Sequence, residues 1–248
     1  METFFNIQYE FDPTEVHNAI SKRLQQPGSD YICVADGVVL DNATRHKKYL
    51  SVINGGMFCI CDSSYVPLYL KWIYGIQRYQ YYGYQIFLDI VQSRKYRMFF
   101  IGSHTTVIEG LRKELSKINP DITGMTFAEL PFCSVDEFDY PSIAKAIEQD
   151  GAEIIWVSLG APKQEIFMSR LKPHLSHGII IAVGAVFKFC SGTDTRRAPE
   201  WMIRNHLEFV YRLCSEPRKQ FRRVTSLLIT LPTILLTELN HKRQNKTH

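Results

Sequence analysis

The side chains with the plainest chemical use in this chain lie in and after Gly160-Ala161-Pro162-Lys163-Gln164-Glu165, which directly follows the apolar run Ile154 to Leu159. A short, β-branched apolar run reads as a buried strand, and Pro162 suits the first turn of a helix opening where that strand ends. A helix start in that place offers unpaired backbone N–H groups and the positive end of a dipole to whatever sits at the sheet's carboxyl edge. Lys163 and Gln164 add side-chain donors for phosphate or sugar oxygens, so the chemistry to expect is the holding of an anion, and an anionic nucleotide fits. Gly102-Ser103-His104 follows another strand-like run and offers a similar turn, although Gly with Ser is also the ordinary chemistry of any strand-to-helix connection. Arg212, Arg218, Arg222 and Arg223 supply planar guanidinium forks, each able to donate two parallel hydrogen bonds to phosphate oxygens. Asp62 ends the run Phe58 to Cys61; a carboxylate there can take a proton from a hydroxyl, or cap a helix as Ser63 and Ser64 equally can.

The elements that must position these groups alternate. Tyr31 to Ala35, Phe58 to Cys61, Met98 to Gly102, Ile154 to Leu159 and Gly178 to Gly184 read as buried strands, while Ala43 to Ile53, Thr105 to Ile118 and Ser142 to Gln149 have helical spacing. Such alternation implies an α/β, Rossmann-like fold, a mostly parallel sheet flanked by helices. A chain of 248 residues, 45% of them hydrophobic, has the material for a full core. The six cysteines sit mostly in apolar runs; Cys59 and Cys61 fall on the same side of a strand, a poor template for zinc, and read as buried free thiols.

Charge is unevenly spread. Residues 196 to 248 hold eleven Lys or Arg against four Glu, a net of +7, which leaves −3 for residues 1 to 195 of the total of +4. That asymmetry points to an anionic partner: a nucleotide diphosphate or phospholipid headgroups. Nucleic acid is not expected, because no zinc-finger, helix-turn-helix or aromatic-plus-basic strand signature occurs. Met1 to Glu10 lacks the basic start and apolar centre of a signal peptide, which predicts a cytoplasmic protein. Residues 224 to 237 carry no charge; fourteen residues fall short of the roughly 20 needed to cross a bilayer, and Pro232 is expected to interrupt a helix. Flanked by Arg222 and Arg223 and by Lys242 and Arg243, the run suits a segment lying at a membrane surface, with docking on the domain or on another subunit as the rival reading. Tyr69, Trp72, Tyr74, Tyr79, Tyr81, Tyr82 and Tyr84 crowd one stretch, which reads as a helix on the sheet followed by a Tyr-rich loop at an interface, or as a platform for sugar or lipid; a homo-oligomer is a separate expectation that no particular residues specify.

Taken in order, Gly160 to Glu165, Gly184-Ala185-Val186-Phe187, Arg197-Ala198-Pro199-Glu200-Trp201, Leu207 to Leu213 and Glu216-Pro217-Arg218 with Arg222-Arg223 resemble the WecG/TagA/CpsF family of bacterial glycosyltransferases, glycosyltransferase family 26. The resemblance is best over residues 160 to 223 and weaker from about 31 to 128. It implies an inverting transfer of a hexosyl or N-acetylhexosaminyl unit from a UDP-sugar to a polyprenyl-diphosphate-linked saccharide, without a metal ion; the sequence also lacks an Asp-x-Asp motif. It further implies Asp62 as the catalytic base, with Asp36 the next candidate, and a donor site from Gly102, Gly160, Lys163, Gln164, Gly184, Lys188, Arg212, Arg218 and Arg222. Residues 1–195 would then be the α/β glycosyltransferase domain, and 196–248 a basic C-terminal helical appendage that completes the donor site and contacts the inner face of the plasma membrane. The chain departs from the family's usual pattern at Ala35 and Asp36, at Ser63 after Asp62, at Gln85 and at Lys188, where many members have Asp. Those departures keep a rival reading open, a membrane-attached subunit with a degenerate donor site. A nucleotide-sugar epimerase or dehydrogenase would need a dinucleotide fingerprint, and that glycine pattern is absent.

Overall fold

In a computed structural model of the chain, residues 1–193 and 217–244 are described, without the side chains of 217–220 and 222–224. Eight strands form one sheet in the order β1-β2-β4-β3-β8-β7-β5-β6. They are β1 (Glu2–Phe4), β2 (Ile7–Glu10), β3 (Gly28–Ala35), β4 (Phe58–Cys61), β5 (Met98–Gly102), β6 (Thr126–Ala128), β7 (Ile154–Ser158) and β8 (His177–Ala182). Every neighbouring pair is parallel except the edge hairpin β1–β2. The α/β, Rossmann-like expectation is therefore met, and the five long apolar runs are its central strands.

Those strands read as unbroken apolar stretches because the sheet is covered on both faces. Tyr31, Cys33 and Ala35 of β3 face one core, while Ile32 and Val34 face the other. Cys59 and Cys61 lie with Cys33 in the first core and Ile60 in the second, so the period of two places these three thiols as expected, buried and free; Cys133 and Cys190 are only half-buried, and Cys214 lies outside the described residues.

Nine helices are described besides the C-terminal one: α1 (Pro13–Leu24), α2 (Gly37–Arg45), α3 (Lys47–Asn54), α4 (Tyr65–Tyr74), α5 (Gly83–Ser93), α6 (Thr105–Ser116), α7 (Tyr140–Asp150), α8 (Lys163–Leu171) and the short α9 (Val186–Cys190). The single helix expected over 43–53 is two helices, because His46 takes extended backbone (φ −126°, ψ 100°) and breaks the run. The aromatic stretch divides into α4 and a loop reaching Tyr82, with Tyr81 fully buried and Trp72 and Tyr79 exposed.

The C-terminal helix α10 (Pro217–Gln244) corrects one expectation and bears out one of two rival readings. It runs unbroken through Pro232, whose ring lies on the exposed side, where a missing backbone hydrogen bond is tolerated. It is also docked on the domain. Thr230, Ile234 and Glu238, spaced four apart and hence on one face, are buried, and Leu227, Leu235 and Leu239 pack against the first core. Arg45 donates to Thr230 Oγ1 at 2.7 Å and to the Ser226 carbonyl at 2.8 Å, and Ser226 and Thr230 donate to Asp41. Burial pushes the Asp41 carboxyl up, but these hydrogen bonds and the Arg45 charge outweigh it and hold the group below its ordinary value. Farther along, Glu238 accepts from the Phe5 N–H and the Tyr74 hydroxyl, both at 2.7 Å, and Lys242 reaches the Ile73 carbonyl. Docking on the domain, the rival reading of this segment, is thus what one face of the helix does. No helix among the described residues is long and apolar enough to cross a membrane.

Candidate active site

From β3 through β8 and β7 to β5, adjacent strands hand over to helices on opposite faces of the sheet. The helices after β3, β4 and β7 pack into the first core, and those after β5 and β8 into the second. Where neighbouring strands diverge in this way, a crevice opens at their carboxyl ends, the place where open α/β sheets bind ligands. The expected site residues of the described chain cluster along that edge: Asp36 after β3, Asp62 after β4, Gly102 at the end of β5, Gly160 to Gln164 after β7, and Gly184 and Lys188 after β8.

The two carboxylates differ in what holds them. Asp36 is the N-cap of α2, its Oδ1 accepting from the Val38 and Val39 N–H groups at 2.9 and 3.0 Å. Its place is explained by helix capping alone. Asp62 does not cap the helix that follows it, since Ser64 precedes α4 and Ser63 Oγ accepts from the Tyr65 N–H at 3.3 Å. Instead Asp62 Oδ1 accepts at 3.0 Å from the N–H of Gly83, the first residue of α5, a helix distant in sequence. Its own N–H donates to the Ala35 carbonyl at 3.0 Å, continuing the β3–β4 register one step beyond Ala35 and Cys61. Gly83 suits that close approach: a Cβ there would lie 3.0 Å from Val34 Cγ1, a tight contact. The half-buried Asp62 is therefore fixed from three elements, β3, β4 and α5.

The turn after β7 is organised by Gln164. Its Oε1 accepts from the Gly160 N–H at 2.9 Å, its Nε2 donates to Glu165 Oε1 at 2.8 Å, and only 5% of the residue is exposed. Gly184, in left-handed backbone (φ 54°), lies beside the same amide: a Cβ there would be in ordinary contact with Oε1, at 3.5 Å. Ser158 Oγ donates to the Gly184 carbonyl at 2.6 Å, tying the β7 and β8 ends together. Both ends of the Gln164 amide thus serve the protein's own turn, where the sequence suggested a donor to ligand. Lys163 is likewise turned away: its ammonium donates to the Cys133 carbonyl and lies 4.8 Å from the Phe138 ring centroid. Pro162 immediately precedes the first residue of α8 rather than opening it, and no side chain caps that helix. Lys188 is exposed on α9. Gly102 (φ 105°) abuts the Ser158 carbonyl so closely that a Cβ would fall 2.5 Å from its oxygen, and Ser103 also takes left-handed backbone (φ 68°) ahead of the uncapped start of α6.

Sequence reasoning missed Glu165. It is wholly buried, accepts from the Tyr49 hydroxyl at 3.0 Å as well as from Gln164, and burial pushes its carboxyl up to about 7. A single charged residue one turn into a helix looks like a solvated one; only the packing of α3 against α8 reveals otherwise.

Arg212 lies outside the described residues. Arg218 and Arg222 are on α10, in the turns before Leu227, whose side chain stands 3.5 Å from where a Cβ on Gly37 would be. Gly37 begins α2 at the sheet's carboxyl edge. With a rise of about 1.5 Å per residue, the Arg222 and Arg218 backbones lie about 7 and 13 Å up the helix from that contact.

A parallel sheet with uncapped helix starts, left-handed glycine turns and a carboxylate fixed from three elements at one edge defines a Rossmann-like protein built to hold a ligand there. The sequence profile of the family described as Glycosyl transferase WecG/TagA/CpsF matches residues 3–248, and the chain belongs to that family of glycosyltransferases. It is 26% identical over 257 residues to the N-acetylglucosaminyldiphosphoundecaprenol N-acetyl-beta-D-mannosaminyltransferase of Bacillus subtilis (strain 168), covering 99% of this chain and 94% of that one. A protein of the same name from Bacillus spizizenii (strain ATCC 23059 / NRRL B-14472 / W23) is 26% identical over 223 residues, covering 89% of this chain and 82% of the relative.

Proposed function

We propose that the protein transfers an N-acetylhexosaminyl unit of the N-acetylmannosaminyl type from a UDP-sugar to a polyprenyl-diphosphate-linked saccharide, with inversion, in cell-surface polysaccharide synthesis. The acceptor class follows the names of relatives that align over nearly the whole chain. The observation that carries the reading is Asp62: a carboxylate at a strand end, held by a main-chain N–H from a remote helix rather than spent on a local cap. In this reading Asp62 takes the proton of the acceptor hydroxyl as that oxygen bonds to the anomeric carbon, and the bond from that carbon to the diphosphate breaks on the opposite side. The departing UDP carries the developing negative charge, which on the same reading the start of α8 and Arg218 and Arg222 offset. In this reading Gly160, Gln164 and Gly184 form part of the donor site, and the Gln164 hydrogen bonds set the shape of that turn before the donor arrives. The protein then works at the cytoplasmic face of the membrane, with the exposed apolar residues Phe221, Leu228, Ile229 and Leu236 of α10 among the lipids.

Incubating the protein with a panel of UDP-sugars and a short-chain prenyl-diphosphate-N-acetylglucosamine tests this. Transfer from UDP-N-acetylmannosamine supports it. Absence of transfer from every donor, with no UDP binding by calorimetry, favours instead a non-catalytic subunit.

A further inference from the structure

Gln164 presents a problem of orientation. An amide has an acceptor end and a donor end of nearly the same shape, and only one arrangement lets Oε1 meet the Gly160 N–H; the reverse sets two donors against each other. The Gly160 N–H selects Oε1 at one end of the amide but makes no contact with Nε2 at the other. Glu165 does. Its Oε1 lies 2.8 Å from Gln164 Nε2, and in its ionised form the carboxylate only accepts, so it then fixes Nε2 toward itself and Oε1 toward Gly160.

The carboxylate is in turn fixed from another helix. Glu165 Oε2 accepts at 3.0 Å from the hydroxyl of Tyr49 on α3, and Tyr49 and Gln164 are almost as buried as Glu165. The chain of donors runs from Tyr49 to Glu165, from Gln164 back to Glu165, and from Gly160 to Gln164, joining α3, α8 and the β7–α8 turn. A fully buried carboxylate is expensive unless its acceptors are used. Here they are used to orient a neighbour.

We propose that Glu165 is a positioning residue of the donor site, which sets the Gln164 amide and through it the Gly160 and Gly184 turns that receive the donor diphosphate. The inference rests on the donor site proposed above and names a residue that acts on it without touching the ligand. Leaving Glu165 out would free Gln164 to rotate, Gly160 would lose its acceptor, and the surface facing Gly184 would no longer be set.

Glu165→Met and Glu165→Gln separate this from a general packing role. Met fills a similar volume without an acceptor, and it leaves the Tyr49 hydroxyl and Gln164 Nε2 without theirs. Gln keeps one oxygen for Gln164 Nε2 and can donate to the Tyr49 oxygen, so it should rescue. The first readout is amide hydrogen exchange at Gly160, which needs no ligand: at least a tenfold acceleration is expected in Glu165→Met and less than threefold in Glu165→Gln. The second is UDP affinity by calorimetry with steady-state kinetics: Glu165→Met should weaken UDP binding and raise the donor KM at least tenfold, with kcat and acceptor KM within threefold of the parent. Unchanged exchange at Gly160 in Glu165→Met overturns the inference whatever UDP does. Accelerated exchange with unaltered UDP affinity also overturns it, because the turn would then not serve the donor. A parent protein that does not bind UDP removes the donor site itself, and is recognised as such because the exchange result stands apart from it.

Discussion

Replacing Glu238 by Ala should release α10 from the domain. The residue is 1% exposed and accepts two hydrogen bonds at 2.7 Å, from the Phe5 N–H and the Tyr74 hydroxyl. Phe5 and Asn6 both take left-handed backbone (φ 55° and 61°) in the turn between β1 and β2, a conformation unfavourable for a bulky side chain. Hydrogen bonds to a charged group contribute about 1.5–3 kcal/mol each. The partly exposed Tyr74 recovers part of that loss from water, whereas the N–H of the buried Phe5 does not. Relief from burying the Glu238 charge offsets some of the remainder, leaving about 2–3 kcal/mol, or a factor on the order of 100 in the docking equilibrium. Hydrogen exchange of the backbone amides between Ser226 and Lys242 reads this directly. Exchange should quicken by about that factor in Glu238→Ala and by only a few-fold in Glu238→Gln, which keeps an acceptor for Phe5. Protection within twofold of the parent in Glu238→Ala would refute the argument, showing that Ile234 and the Asp41 network hold the helix without the clamp.

Three further outcomes are expected. Gly102→Ala combines a left-handed backbone with a Cβ 2.5 Å from the Ser158 carbonyl oxygen, and should cost at least about 2 kcal/mol, roughly 5 °C in Tm; an unchanged Tm would mean the β5–β7 contact is softer than it looks. Glu165 is pushed up to about 7 from 4.5, so the folded state binds more protons than the unfolded one between those values; its contribution is most favourable below about pH 4.5 and is lost as pH rises through about 7. Glu165→Gln should flatten that part of the stability curve measured by urea unfolding, and an identical slope in both proteins would contradict the assignment. Changing Leu228, Ile229 and Leu236, each more than 60% exposed, together to Ser should reduce sedimentation with anionic vesicles without loosening the docked face, and equal partitioning would remove α10 from the membrane contact.

Much of the fold was legible because central parallel strands are buried on both sides and so appear as short apolar runs, as β3, β4, β5, β7 and β8 do. The edge strands β1, β2 and β6 were not, since three or four residues of mixed burial carry too little periodicity to stand out. The break at His46 was hidden because the apolar spacing of α2 runs into that of α3 without a Gly or Pro between them. In the site, chain order placed Asp62 and Gln164 at strand ends, but it could not show which way their polar atoms point. Lys163 looks like a ligand donor until the loop carrying Cys133 and Phe138 is brought beside it. Docking of α10 was hidden because its buried face carries the polar Thr230 and the charged Glu238 beside Ile234, while Leu228, Ile229 and Leu236 are exposed, so polarity does not mark which side is inside.

The central claim is that Asp62 is the base of a sugar transfer, and Asp62→Asn tests it most directly. Asn keeps an oxygen for the Gly83 N–H, so the fold of the edge should survive while the proton acceptor is lost. Single-turnover transfer from UDP-N-acetylmannosamine to a prenyl-diphosphate-N-acetylglucosamine should fall by about 100- to 10,000-fold, with UDP affinity within threefold of the parent. Transfer at the parent rate by Asp62→Asn would contradict the account and move the base elsewhere along the sheet edge.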